Sequence, residues 1–83
     1  MPKWNEFIPE EIEYDFEKDK LHDHNVTIEE VCQCFFNPFE IRKNKKFKDR
    51  FKLLGFSDAG RPLCIIFQLK NKTTVRIITG WEI

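Results

Sequence analysis

Thr27-Ile28-Glu29-Glu30-Val31-Cys32-Gln33-Cys34-Phe35-Phe36-Asn37-Pro38-Phe39-Glu40-Ile41-Arg42 is the stretch in which the chain changes its hydrophobic period, and that change decides the fold class. Thr27 and Glu30 have the spacing of a capping box, with the Thr27 hydroxyl able to accept from the Glu30 backbone and the Glu30 side chain able to reach back. Val26 and Val31 stand at the positions of a hydrophobic staple. Ile28, Val31, Cys32 and Phe35 follow the i, i+3, i+4, i+7 spacing of one helical face. Asn37-Pro38 ends the helix, because proline disfavours helical geometry in the residue before it. From Phe39 the period is two, so a helix passes directly into strands.

Working outward, Phe39–Arg42 reads as a short strand and Lys43 to Lys46 as a basic turn around Asn44. A longer strand is expected over Phe47–Phe56, a tight turn at Asp58-Ala59-Gly60, a strongly apolar strand over Pro62–Leu69, a turn at Lys70-Asn71-Lys72 and a last strand over Thr73–Thr79. On the other side, Ile12–Phe16 alternates apolar and acidic residues as a strand does. Glu17–His24 is a short, weakly amphipathic helix that Asn25 closes, since asparagine tolerates the left-handed conformation. Residues 1–11 read as an extended arm. The expectation is one α+β domain over residues 1–83, with two N-terminal helices on one face of a mostly antiparallel sheet of about four to five strands.

Composition sets bounds on function. A chain of 83 residues holds one core, so an active site is a shallow surface site, which argues against a cofactor enzyme. Nine phenylalanines supply large burial per residue. No apolar run approaches the roughly 20 residues of a membrane span, and the N-terminus lacks the apolar segment of a signal peptide. Three cysteines make no disulfide framework, so the expected location is cytoplasmic. The net charge of +0 hides an asymmetry: residues 1–40 carry three lysines against eleven carboxylates, a net −8, and residues 41–83 carry eleven Lys or Arg against three carboxylates, a net +8. Either the basic half meets an anion such as nucleic acid, or the two halves pair with each other.

Several pieces, in order, resemble the BrnT family of type II toxin–antitoxin toxins over roughly residues 13 to 81. They are Tyr14-Asp15 with Lys18, His24-Asn25-Val26-Thr27-Ile28-Glu29-Glu30, Phe36-Asn37-Pro38, Asp49-Arg50-Phe51, Gly60-Arg61-Pro62-Leu63 and Arg76-Ile77-Ile78-Thr79-Gly80-Trp81. This chain would be a divergent member: Tyr14 stands for a usual Trp, Asn25 for Gly, and Thr79-Gly80-Trp81 for Ser-Ala-Arg. The resemblance implies a compact RelE-like ribonuclease fold. It also implies metal-independent endoribonuclease activity, no cofactor, and a cognate antitoxin through which any homo-oligomer would form. The alternative is a non-catalytic relative that binds RNA or a protein partner, which the Trp81 ending favours.

Metal-independent RNA cleavage needs a general base, a general acid and cations for the developing phosphorane charge. Arg50 and Arg76 suit the last role, because a guanidinium can engage two phosphate oxygens; the other reading of each is an outward strand residue paired with a carboxylate. His24 is the expected acid or base, against a plain reading as a helix C-terminal histidine. Lys46, Lys48, Arg50 and Lys52 alternate and would line one sheet face along a phosphate backbone, with Phe47, Phe51 and Leu53 on the other; the plain reading is a solubilising outer face. Trp81 could stack a base or close the core or an interface. Arg61 reads as a turn residue. Zinc is set aside: Cys32 and Cys34, two apart on a helix, point about 200° apart, so no metal is expected and Cys32 and Cys64 read as core.

Overall fold

A computed structural model describes residues 7–18, 20–44, 46 and 48–83. The part of the arm that holds Trp4, together with Asp19, Lys45 and Phe47, lies outside the described residues. The elements run β1 (Glu11–Tyr14), α1 (Lys20–Asp23), α2 (Ile28–Phe36), β2 (Phe39–Lys43), β3 (Arg50–Phe56), β4 (Pro62–Leu69) and β5 (Thr74–Glu82). The five strands form one mixed sheet in the order β1-β5-β4-β3-β2. Three of its ladders are antiparallel, and β1 pairs in parallel with β5.

The α2 cap is the one that Thr27 and Glu30 foretell. The Thr27 hydroxyl accepts from the Glu30 backbone at 3.2 Å and the Glu30 carboxylate accepts from the Thr27 backbone at 3.1 Å. Val26 and Val31 are both buried in the core. The helix ends at Phe36, before Asn37 in extended backbone and then Pro38. Asn25 has a left-handed φ of 59°, as its place between the helices requires. The buried residues of α1 and α2 (Leu21, Val31, Cys34, Phe35) join Phe51, Leu53, Leu63, Ile65, Phe67, Val75 and Ile77 in one cluster, so both helices cover the same face. Phe35 meets Phe67 edge-on with ring centroids 5.5 Å apart, an arrangement worth about 0.5–1.5 kcal/mol beyond burial.

Four boundaries differ from expectation by two residues or more. β1 stops at Tyr14 because the Asp15 carboxylate accepts from the Glu17 backbone at 3.1 Å and turns the chain; α1 accordingly begins only at Lys20. β3 begins at Arg50, because Asn44 accepts from the Lys46 backbone at 2.8 Å and bends the preceding segment. β5 runs past Thr79 to Glu82 through an irregularity opposite Ile66/Phe67, where Ile66 pairs with Thr79 and Phe67 with Ile77. That extra residue re-phases the alternation, so Gly80 takes the core side. On α2, Cys34 is buried and Cys32 is only half-buried. Cys34 faces Gly55 on β3, where a Cβ would lie in ordinary contact, 3.6 Å from the Cys34 Cβ.

Arg61 does more than occupy a turn. Its guanidinium donates to the Asn25 carbonyl at 2.8 Å and to both Glu30 carboxylate oxygens at 3.0 and 3.1 Å, and it pairs with Glu82. It thereby joins the interhelix loop, the N-terminus of α2 and the end of β5. Burial pushes the Glu30 carboxyl up, but hydrogen bonds from Thr27 and the Arg61 guanidinium outweigh this and hold it below its ordinary 4.5.

Thr27→Ala should cost about 1 kcal/mol in urea unfolding, the usual worth of an N-cap. A carboxyl whose folded pKa is depressed stabilises the fold above its unfolded pKa, and that contribution is lost as pH falls through the folded value. Unfolding free energy should therefore fall more steeply between about pH 5 and about pH 3 in the wild type than in Glu30→Gln.

Candidate nucleic-acid interface

The face opposite the helices is covered by neither of them, and the register reads it off directly, because residues paired across a ladder project to the same side. One row crosses four strands: Glu13 beside Arg76, Arg76 beside Gln68, Gln68 beside Arg50. The next row is Thr79, Ile66, Lys52 and Arg42, and the third is Trp81, Cys64, Leu54 and Glu40. Arg50 and Arg76 are thus two strand spacings apart, about 10 Å at the backbone, a separation from which two long guanidinium side chains can converge.

Their row opens into a groove of about 310 Å³ where β1 ends and β5 continues. Tyr14, Asp15, Lys18, Lys20, Arg50, Gln68 and Arg76 line it. Among the described residues, four cations against one carboxylate give an electropositive recess. Among the described residues, Lys18, Lys20 and Arg76 take part in no ion pair, although Glu13 is the direct neighbour of Arg76 on β1. The walls are fixed by hydrogen bonds. The Tyr14 hydroxyl accepts from the Leu21 backbone at 2.9 Å, which holds the start of α1 against the end of β1. The Gln68 amide donates to Asp49 at 2.6 Å, which fastens the floor between the two arginines.

The candidates drawn from the sequence divide accordingly. Arg50 and Arg76 come together in the groove. Lys52 is exposed one row away on the same face. Lys46 and Lys48 are exposed but precede β3, so they do not extend the alternating row that was expected. His24 does not line the groove; its ring lies 6.1 Å from that of Trp81, on the part of β5 that β1 does not flank. Trp81 is half-buried there rather than in the core. Lys20, Gln68 and Tyr14 had not been read as site residues. The signal for Lys20 was its spacing of two from Lys18, but only the turn at Asp15 aims that segment at the sheet.

Cys64 is an exception on this face. It is 3% exposed yet does not belong to the core cluster, and Leu54 and Trp81 are its cross-strand neighbours. Burial pushes its thiol up. Cys34, under α2, is pushed up to about 11 by burial and by the charges of Glu30 and Asp58. Among the described residues no three His, Cys, Asp or Glu side chains gather as a metal site would require. Among the described residues no helix is long and apolar enough to cross a membrane.

Of the ion pairs, Arg61–Glu30 and Arg42–Glu40 join the acidic and basic halves of the chain. The groove shows the other outcome: Lys18 and Lys20 from the acidic half are added to Arg50 and Arg76 from the basic one. Comparison with models of protein families finds no match, and comparison with curated proteins finds none either.

Trp81→Ala should raise the rate at which a thiol reagent labels Cys64 several-fold in the native state, while Cys34 stays protected; peptide mass mapping after timed alkylation reads both sites.

Proposed function

We propose that this chain is a BrnT-like toxin that acts on RNA in the cytoplasm, with the groove between β1, β3, β4 and β5 gripping a phosphodiester. The observation that carries the reading is the convergence of Lys18, Lys20, Arg50 and Arg76 on one recess that holds a single carboxylate among the described residues. Such a recess suits an anion with several oxygens: the two arginines can engage phosphate oxygens in pairs, and the lysines add charge where an RNA strand would leave the groove. Lys52 and Arg42 in the next row extend the track. Cleavage without metal would draw its charge stabilisation from Arg50 and Arg76, with Asp15, which also lines the groove, as the carboxylate within the site. A neutralising antitoxin would have to mask this recess.

The second reading, an RNA binder that leaves its target intact, is favoured by the position of His24. The imidazole lies against Trp81 and does not line the groove, so no histidine joins the arginines.

Incubation with a structured messenger RNA in EDTA distinguishes them. The toxin reading expects cleavage by the wild type, a loss of about a hundredfold or more in Arg76→Ala, and unchanged cleavage in His24→Ala. Intact RNA at high protein concentration, with the fold verified, supports the binder. In either case Arg76→Ala should lower the slope of log affinity against log salt for single-stranded RNA by about 1. An unchanged slope would remove Arg76 from the contact.

A further inference from the structure

We propose that two copies of this chain associate through the outer edge of β2, joining their sheets about a two-fold axis at Ile41. The inference is independent of the RNA reading. β2 is the last strand in the sheet order, and among the described residues its outer side carries no other strand.

The direction of its backbone groups follows from two bonds. The Asn44 amide donates to the Arg50 carbonyl at 3.1 Å, so Asn44 faces β3. The Leu69 amide donates to the Asp49 carbonyl at 3.0 Å, so Asp49 faces β4 and Arg50 faces β2, in agreement. Alternation then turns Arg42 and Glu40 towards β3, and leaves the amides and carbonyls of Phe39, Ile41 and Lys43 pointing outward. An antiparallel partner centred on Ile41 meets these groups with its own: Ile41 bonds with Ile41, and Phe39 bonds with Lys43 in both directions.

The same register sets Glu40 of each copy opposite Arg42 of the other. These fall at the non-hydrogen-bonded positions, where side chains approach most closely. Both side chains are exposed, and within one strand they already pair at 3.3 Å, so the dimer would carry a row of four alternating charges on the open face. Moving the axis to residue 40 or 42 would place Glu40 on Glu40 or Arg42 on Arg42. Charges on an edge strand ordinarily guard it against pairing; here their spacing permits one register and opposes its neighbours. On the helix side, exposed Phe36 and Ile8 line an apolar groove of about 410 Å³ that reaches Phe39 of the same strand. A second copy fits both the charge pattern and this flank.

Light scattering coupled to gel filtration, on the full chain over about a hundredfold range of concentration, tests the idea. The wild type should double its mass as concentration rises. Glu40→Arg and Arg42→Glu should each weaken association about tenfold or more, because each puts like charges opposite one another. Mixing these two variants should restore a dimer, since both cross-strand pairs are then opposite in charge. Ile41→Pro removes an outward amide without touching a bond to β3, and should leave a folded monomer by circular dichroism. A wild type that stays monomeric throughout, single variants that associate as the wild type does, or a mixture that fails to recover would each overturn the proposal.

Discussion

The constraint on which the rest depends is that two helices, of four and nine residues, must cover a sheet of five strands. They suffice for one face. Leu21 lies over Gly80, where a Cβ would come within 3.1 Å of the leucine, and Cys34 lies over Gly55. Both glycines thus mark where a helix comes close to the sheet. With one face closed in this way, the other must tolerate water, and its rows are mostly charged or polar: Glu13, Arg76, Gln68 and Arg50, then Thr79, Lys52 and Arg42. The split of charge along the chain does not become a split in space: Lys18 and Lys20 from the acidic half join Arg50 and Arg76 at the groove, and Glu13 shares the row of Arg76.

Arg61 keeps these layers in register. Glu30 serves twice, as the returning half of the α2 capping box and as the carboxylate that receives Arg61, and Glu82 fastens the same guanidinium to the end of β5. Since β5 is also the strand that carries Arg76 and pairs with β1, the cap of a helix on one face is tied mechanically to the strand that forms the groove on the other. The turn residue named in the sequence is in this sense the join between the two layers.

Much of this was legible in the sequence where the signal is local. The capping box of α2, the bounds of β4 at Pro62 and Leu69, and the left-handed Asn25 each follow from a few adjacent residues. What was not legible depends on distant partners. The end of β5 was missed because the irregularity opposite Ile66/Phe67 interrupts the alternation that a period-two reading follows. The choice of Cys34 over Cys32 follows from how α2 seats on the sheet, with Cys34 facing Gly55 on another element. The parallel pairing of β1 with β5 has no sequence signature of its own. At the candidate site, Arg50 and Arg76 were picked out by residue type, but the contribution of Lys20 and the separation of His24 required the sheet order and the turn at Asp15.

Position 81 then takes a different weight. The resemblance sets an arginine where this chain has Trp81, and on the sequence alone that exchange removes a cation from the site. In the fold, Trp81 lies two rows from Arg76, about 13 Å along the sheet, and its neighbours are Cys64 across the ladder and the His24 ring. A side chain there does not line the recess held by Lys18, Lys20, Arg50 and Arg76. The exchange therefore leaves the charge of the groove intact, and what it changes is the far end of the open face, where an aromatic residue lies across the ladder from a buried thiol and its ring lies near an imidazole. The electrostatic case for an anion at the groove rests on residues that the terminal departure does not touch.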